Sequence, residues 1–260
     1  MDGDDTLTKA SGLGRGLAHA GKRVVSPIPA LDFDKAVQRV PFLRALSGTQ
    51  LDRLRPCSRL RRVGRGQRVW LEGDPTAEFT FLLQGRAKLV KAGQAGRDAI
   101  IDLCSSGDLL CSSAVSCSAP YCCSATALDE AVDVLAIPRR DVLDVLERIP
   151  EASRAFVHEI GRREMRLVRR IGQLSSGQLE RRLATLLLQL AEESGLPEGE
   201  RRVRIPLALK RQDLADLCSA RLETTIRAMR RLGRRRIVRS LAGGFLVDRA
   251  ALERIARGDG

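Results

Sequence analysis

Residues 210–232 read KRQDLADLCSARLETTIRAMRRL. Leu214, Ala215, Leu217 and Cys218 recur at helical spacing, and so do Leu222, Ile226, Met229 and Leu232. Two short helices are therefore expected, each with one apolar face. Between them Cys218-Ser219-Ala220 is small enough to let the helices cross closely. The outward face of the second helix carries Arg221, Glu223, Thr224, Arg227, Arg230 and Arg231. An apolar inner face, a tight turn and a basic outer face with hydrogen-bonding groups are what a helix in the DNA major groove requires.

Charge points the same way. Residues 201–240 hold 13 Lys/Arg against 3 Asp/Glu, a net of +10 in a 260-residue chain whose formal net charge is +13. The rest of the chain therefore contributes only +3. A solvated helical hairpin would not concentrate charge in this way. An excess confined to one segment favours a polyanion, here double-stranded DNA, as partner.

This segment and what precedes it resemble the CRP/FNR family of bacterial transcription regulators. The match is carried by Asp213-Leu214-Ala215, Glu223-Thr224 and Arg227. The resemblance implies that Glu223 accepts a hydrogen bond from a cytosine amino group. It implies that Arg227 donates to guanine or a nearby phosphate. Arg221, on the same outward face, is expected to be a third base reader. Glu223 and Arg227 are also spaced for an ion pair along the helix, and both roles can hold at once. Arg211, Thr224, Arg230, Arg234, Arg235, Arg236 and Arg239 are expected at phosphates. Three positions depart from the family pattern. Ser219 stands where the turn glycine is usual, Leu222 where an arginine is common, and Lys210 where a hydroxyl caps the first helix. They leave the operator sequence open.

The length predicts two domains. Apolar residues make up 43% of the chain and aromatics 3%, so the cores must be built from Leu, Val, Ile and Ala. No run of about 18 apolar residues suggests a membrane span, and no apolar segment follows a basic start. A cytoplasmic protein without membrane contact is expected, with its seven cysteines kept reduced. There are two histidines, and no nucleophilic triad, carboxylate pair or phosphate loop stands out, so no enzyme is expected.

The fold class expected is α+β: an N-terminal antiparallel β-roll, a long dimerisation helix and a C-terminal winged helix-turn-helix. Residues 1–33, rich in Gly, Asp, Ala and Ser, read as a disordered tail. Residues 34–150 read as short helices followed by a roll. Its apolar runs at 68–71, 79–83, 87–90, 99–103 and 131–137 are separated by glycine turns. Gly66, Glu72-Gly73-Asp74, Leu83-x-Gly85-x-Ala87-x-Leu89 and Gly107-Asp108 resemble the family's cyclic-nucleotide-binding roll. Residues 151–176 read as a helix and hinge. Phe156, Ile160, Leu167, Ile171 and Leu174 lie near heptad spacing and are expected to form the seam of a homodimer. Residues 177–260 complete the DNA-binding domain: a helix, a strand that Pro206 would place at a sheet edge or end early, the helix pair, a hairpin turning at Ala242-Gly243-Gly244, and a closing helix.

The ligand cassette departs from the family. Where nucleotide-binding members carry a glutamate for the ribose and an arginine for the cyclic phosphate, this chain has Cys111-Ser112 and Cys123-Ser124-Ala125. Losing the arginine removes on the order of 2–5 kcal/mol from phosphate binding. Cyclic AMP is therefore not the expected effector, although Ser112, Cys123 and Ser124 mark the pocket. Cys111, Cys117, Cys122 and Cys123 surround it. Such thiols can hold zinc or an iron–sulfur cluster, act as a redox switch, or simply pack. Cys104, in an apolar strand, reads as packing.

The leading expectation is a homodimeric, sequence-specific transcription regulator acting, by the resemblance, on RNA polymerase. The alternative is a basic nucleoid or RNA-associated protein with no specific base contacts and no effector.

Overall fold

The structure is a computed structural model that describes residues 26–27, 33–93, 98–112, 117–174 and 177–258. Most of the expected tail lies outside the described residues. Two parts of it are structured: β1 (Ser26–Pro27) pairs antiparallel with β2 (Arg59–Gly64), and Phe33 is buried at the start of α1 (Phe33–Arg39).

Short helices α2 (Pro41–Arg44) and α3 (Gly48–Leu54) precede β2. At the start of α3 the Gln50 side chain accepts from the Ser47 backbone N–H at 2.7 Å. The roll continues with β3 (Arg68–Trp70), β4 (Glu78–Gln84), β5 (Ala87–Lys91), β6 (Ala99–Cys104), β7 (Leu109–Leu110), β8 (Ser124–Ala127) and β9 (Ala131–Pro138). Two antiparallel sheets form, in the orders β1-β2-β9-β4-β7 and β3-β8-β5-β6. Strand β9 is buried along nearly its whole length because β2 and β4 flank it inside the five-stranded sheet. Strand β6 alternates and turns Ile100, Asp102 and Cys104 inward. The sequence pattern locates β3 to β6 and β9. It gives no sign of β2, β7 and β8, since β2 has an arginine at three of its six positions and β7 is two residues long.

Helix α4 (Arg139–Arg148) leads into α5 (Pro150–Leu174), which runs across the roll. Phe156 sits in the roll core, 5.7 Å from Phe79 and 6.3 Å from Phe42 by ring centroids, both edge-on. That corrects its expected place in a dimer seam, because the roll already covers it. Ile160 packs against the same core and Leu167 and Leu174 are half-buried. The exposed apolar positions on α5 are Val157, Met165, Val168 and Ile171, so Ile171 of the expected seam is exposed and the other three are additions to it. Arginines fix the inner face. Arg163 donates to the Leu109 carbonyl and lies 3.6 Å from the buried Asp102, and Arg166 reaches Asp108 at 3.2 Å.

The C-terminal part comprises α6 (Leu179–Ser194), β10 (Leu196–Glu198), β11 (Arg202–Ile205), α7 (Arg211–Leu217), α8 (Leu222–Arg234), β12 (Val238–Leu241), β13 (Gly244–Asp248) and α9 (Arg249–Arg257). Its sheet runs β10-β11-β13-β12. Gly244 is a strand residue rather than part of the hairpin turn. A Cβ there would stand 1.9 Å from the Ile205 carbonyl oxygen, so only glycine lets β13 approach β11. One core joins this head to the roll, since Ile100 and Leu128 pack with Leu207, Leu209, Leu214 and Leu217.

Candidate nucleic-acid interface

Helix α7 has Lys210 rather than a hydroxyl residue at its N-cap, and a carboxylate makes the reciprocal bond of a capping box. Asp213, three residues in, accepts from the Lys210 backbone N–H at 2.8 Å. The turn to α8 passes through Ser219 at φ +47, the left-handed conformation that favours glycine, and closes with Ala220 N–H donating to the Ala215 carbonyl at 2.9 Å. Thr225, Ala228, Met229 and Leu232 form the buried face of α8. Leu222 and Ile226, expected on that face, are only half-buried. Thr225 can lie inside because its hydroxyl donates to the Arg221 carbonyl four residues back.

The opposite face carries Arg221, Glu223, Arg227, Arg230, Arg231 and Arg234, all exposed, with Thr224 half-buried. Arg211, Arg230, Arg236 and Arg239 line a groove of about 710 Å³ between α8 and the β12–β13 hairpin. Arg211 is held there by a 2.6 Å bond to the Ser240 hydroxyl, and partial burial lowers its pKa. Arg202, on β11, lines the same groove and is absent from the sequence-based set; its outward alternation against Val203 was the available signal. Arg235 is separate from this group, 3.9 Å from Glu180, which also pairs with Arg231. Arg221 and Glu223 line a second cleft of about 540 Å³, whose far wall includes Asp98 and Ala99 at the edge of the roll.

Three of the four singled-out cysteines meet within the roll. The sulfurs of Cys111, Cys122 and Cys123 all lie within 4.8 Å of one another, and Cys111 Sγ is 3.7 Å from Cys122 Sγ. Cys111 and Cys123 are buried and Cys122 is exposed. Cys117 is exposed and stands outside this group. A hydrogen bond from Cys123 brings the Cys111 thiol down to about 6, against burial and with help from Cys122 and the Arg163 charge. The same bond, followed by burial, pushes Cys123 up. Burial and then the Cys111 charge push up Cys122. Cys104 is buried in the core, where loss of solvation raises its pKa well above that of an ordinary thiol.

Comparison with known proteins joins these two regions. Residues 60–149 match the cyclic nucleotide-binding domain model, and residues 181–255 match the Crp-like helix-turn-helix domain model. The chain belongs to the CRP/FNR family. It is similar to the CRP-like cAMP-activated global transcriptional regulator of Mycobacterium tuberculosis, with 26% identity across 74% of this chain and 84% of that one. It is similar to the nitrogen fixation regulation protein FixK of Bradyrhizobium diazoefficiens, with 27% identity across 86% and 92% of the two chains. Its fold resembles that of a CRP-family transcriptional regulator from Thermus thermophilus, with a TM-score of 0.65, 23% identity, and 75% and 96% of the two chains covered.

The chain is thus a CRP/FNR-type transcription regulator with a helix-turn-helix DNA-binding domain. No described helix is long and apolar enough to cross a membrane. Among the described residues, the two positions where nucleotide-binding members of the family carry a glutamate and an arginine hold Ser112 and Cys123. At the arginine position Cys123 is buried and its carbonyl accepts from Trp70 Nε1–H at 2.9 Å. Ser124 Oγ accepts from the Glu72 backbone N–H at 2.9 Å. Glu72 is itself engaged by Lys91 and by the Ala92 N–H. Tyr121 stacks on Trp70 with 4.2 Å between ring centroids. None of these groups places an arginine against a cyclic phosphate, and the Lys91 cation is paired with Glu72.

Proposed function

We propose that this CRP/FNR regulator binds a specific DNA site as a homodimer, with α8 in the major groove and the β12–β13 hairpin against the backbone. The observation that carries the reading is the division of labour on the head. Glu223 and Arg227 lie exposed on one helix face, and the arginine-lined groove beside them belongs to the hairpin. Base edges would be read by Glu223, Arg227 and Arg221, and phosphates held by Arg211, Arg230, Arg236, Arg239 and Arg202. Thr224, Arg234 and Arg235 would extend the phosphate contacts along the backbone.

Val157, Met165 and Val168, with Ile171 beyond them, supply the seam between protomers. Two heads so joined address half-sites about one helical turn apart, where the dimer meets RNA polymerase. The deciding experiment is site selection with Glu223→Ala. Base preference should relax at one position in each half-site, by about 1–3 kcal/mol. An unchanged preference together with a steep salt dependence would favour the nucleoid-type alternative.

A further inference from the structure

The thiol group in the roll is not used by DNA recognition and replaces a nucleotide contact that the family would place there. We infer that Cys111, Cys122 and Cys123 form a three-sulfur site for one soft, thiophilic metal ion. An ion about 2.3 Å from each of three sulfurs needs sulfur–sulfur separations of roughly 3.8–4.0 Å. Here one separation is 3.7 Å and all lie within 4.8 Å, so the site closes with shifts of under an ångström. Two sulfurs are buried and the third is exposed, which provides both a low-dielectric seat and an entrance.

The ligand count selects the ion. Among the described residues no His, Asp or Glu joins the three sulfurs, and Cys117 does not reach them. Structural zinc asks for four ligands, and iron–sulfur clusters ask for four cysteines. Thiolates alone favour soft ions. Monovalent copper and trivalent arsenic both accept three sulfurs, so they are the fitting class. With monovalent copper, three metal–sulfur bonds replace its bonds to water or chelator, and any thiol proton leaves to solvent. With arsenous acid, three As–S bonds form as three As–O bonds break, and the thiol protons leave with the hydroxides as three waters. No electron is transferred.

The site also has a mechanical neighbour. Cys111 follows β7 directly, and the Leu109 carbonyl of β7 accepts a hydrogen bond from Arg163 on α5. Drawing Cys111 toward Cys122 and Cys123 therefore pulls on the strand that anchors α5. That link rests on the regulator reading above; metal binding itself does not.

The test is anaerobic titration of the full-length reduced protein with monovalent copper, arsenite and zinc, against a competing chelator for the metals. One equivalent per protomer of copper or arsenite should bind, with three sulfur neighbours by X-ray absorption. Cys111→Ser, Cys122→Ser and Cys123→Ser should each weaken binding by at least about 100-fold, while Cys117→Ser and Cys57→Ser leave it unchanged. Circular dichroism checks that each variant is folded. The inference is overturned if neither copper nor arsenite binds tightly, if zinc alone does, if Cys117→Ser weakens binding as much as the other three, or if the thiols only form a disulfide. If the ion binds and DNA affinity does not move, the link through Arg163 is wrong and the metal site stands.

Discussion

Lys88 Nζ lies 2.5 Å from Asp213 Oδ1, joining a roll strand to the first helix of the helix-turn-helix across 125 positions of sequence. The same carboxylate caps α7 through the Lys210 N–H. Arg170 makes a parallel bond from α5, donating to the Ile100 carbonyl at 2.6 Å and to the Leu217 carbonyl at 3.0 Å. Arg86 and Arg65 add donors to the Pro206 and Ala208 carbonyls. The head is therefore docked on the roll by charge-assisted bonds at both ends of α7. Replacing Lys88 with Met leaves a buried carboxylate without its cation, at a cost of about 1–3 kcal/mol. Amide hydrogen exchange should show lost protection in α7 while the strands of the roll stay protected. Unaltered exchange in α7 would mean that the ion pair contributes nothing to docking.

The seam and the core of α5 can be separated by substitution. Val157→Asp with Val168→Asp should give a folded monomer on sizing, because both side chains are exposed. Phe156→Ala should instead destabilise the roll by about 3–5 kcal/mol, because it empties a site between Phe42 and Phe79. A dimer that survives the first pair of changes would place the interface elsewhere.

Arg239 lines the groove beside the hairpin and is assigned to a phosphate. Arg239→Ala should weaken binding to all DNA sequences alike and reduce the salt slope by about 1. Loss of affinity for one sequence only would make it a base reader.

Cys111 is the thiol that ionises near neutral pH. Its folded pKa of about 6 lies below the ordinary value of 9.0. This group's contribution to stability is thus full above pH 9.0 and fades as pH falls through about 6. Thiolate ultraviolet absorbance in the metal-free protein should rise through about pH 6 and vanish in Cys111→Ser. In Cys123→Ala the transition should move to higher pH, since the Cys123 hydrogen bond is the largest cause of the depression.

Ser219 adopts φ +47 at the helix-turn-helix turn. Ser219→Gly removes a left-handed strain of about 1–2 kcal/mol but makes the unfolded chain more flexible. The net gain, up to about 1 kcal/mol, would appear as a higher urea midpoint. A lower midpoint would mean that the serine side chain stabilises the turn.

Much of this molecule is legible in one dimension because its signals are local. The spacing of Leu214 to Leu232 produces two helices, the arginine excess of residues 201–240 marks the polyanion-facing head, and the short apolar run at residues 99–103 makes a strand. Helical and strand periods, charge and turn chemistry act between near neighbours, and near neighbours are what a sequence displays. What depended on distant contacts came only from tertiary structure. Phe156 turned inward because Phe42 and Phe79 offered a better partner than a seam. Cys111 met Cys122 and Cys123 while Cys117 did not, because β7 and β8 bring the first three together. Lys88 found Asp213 because the head packs on the roll. Each of these choices sets burial and electrostatics between residues that the chain order keeps apart, and only the folded chain brings them within reach.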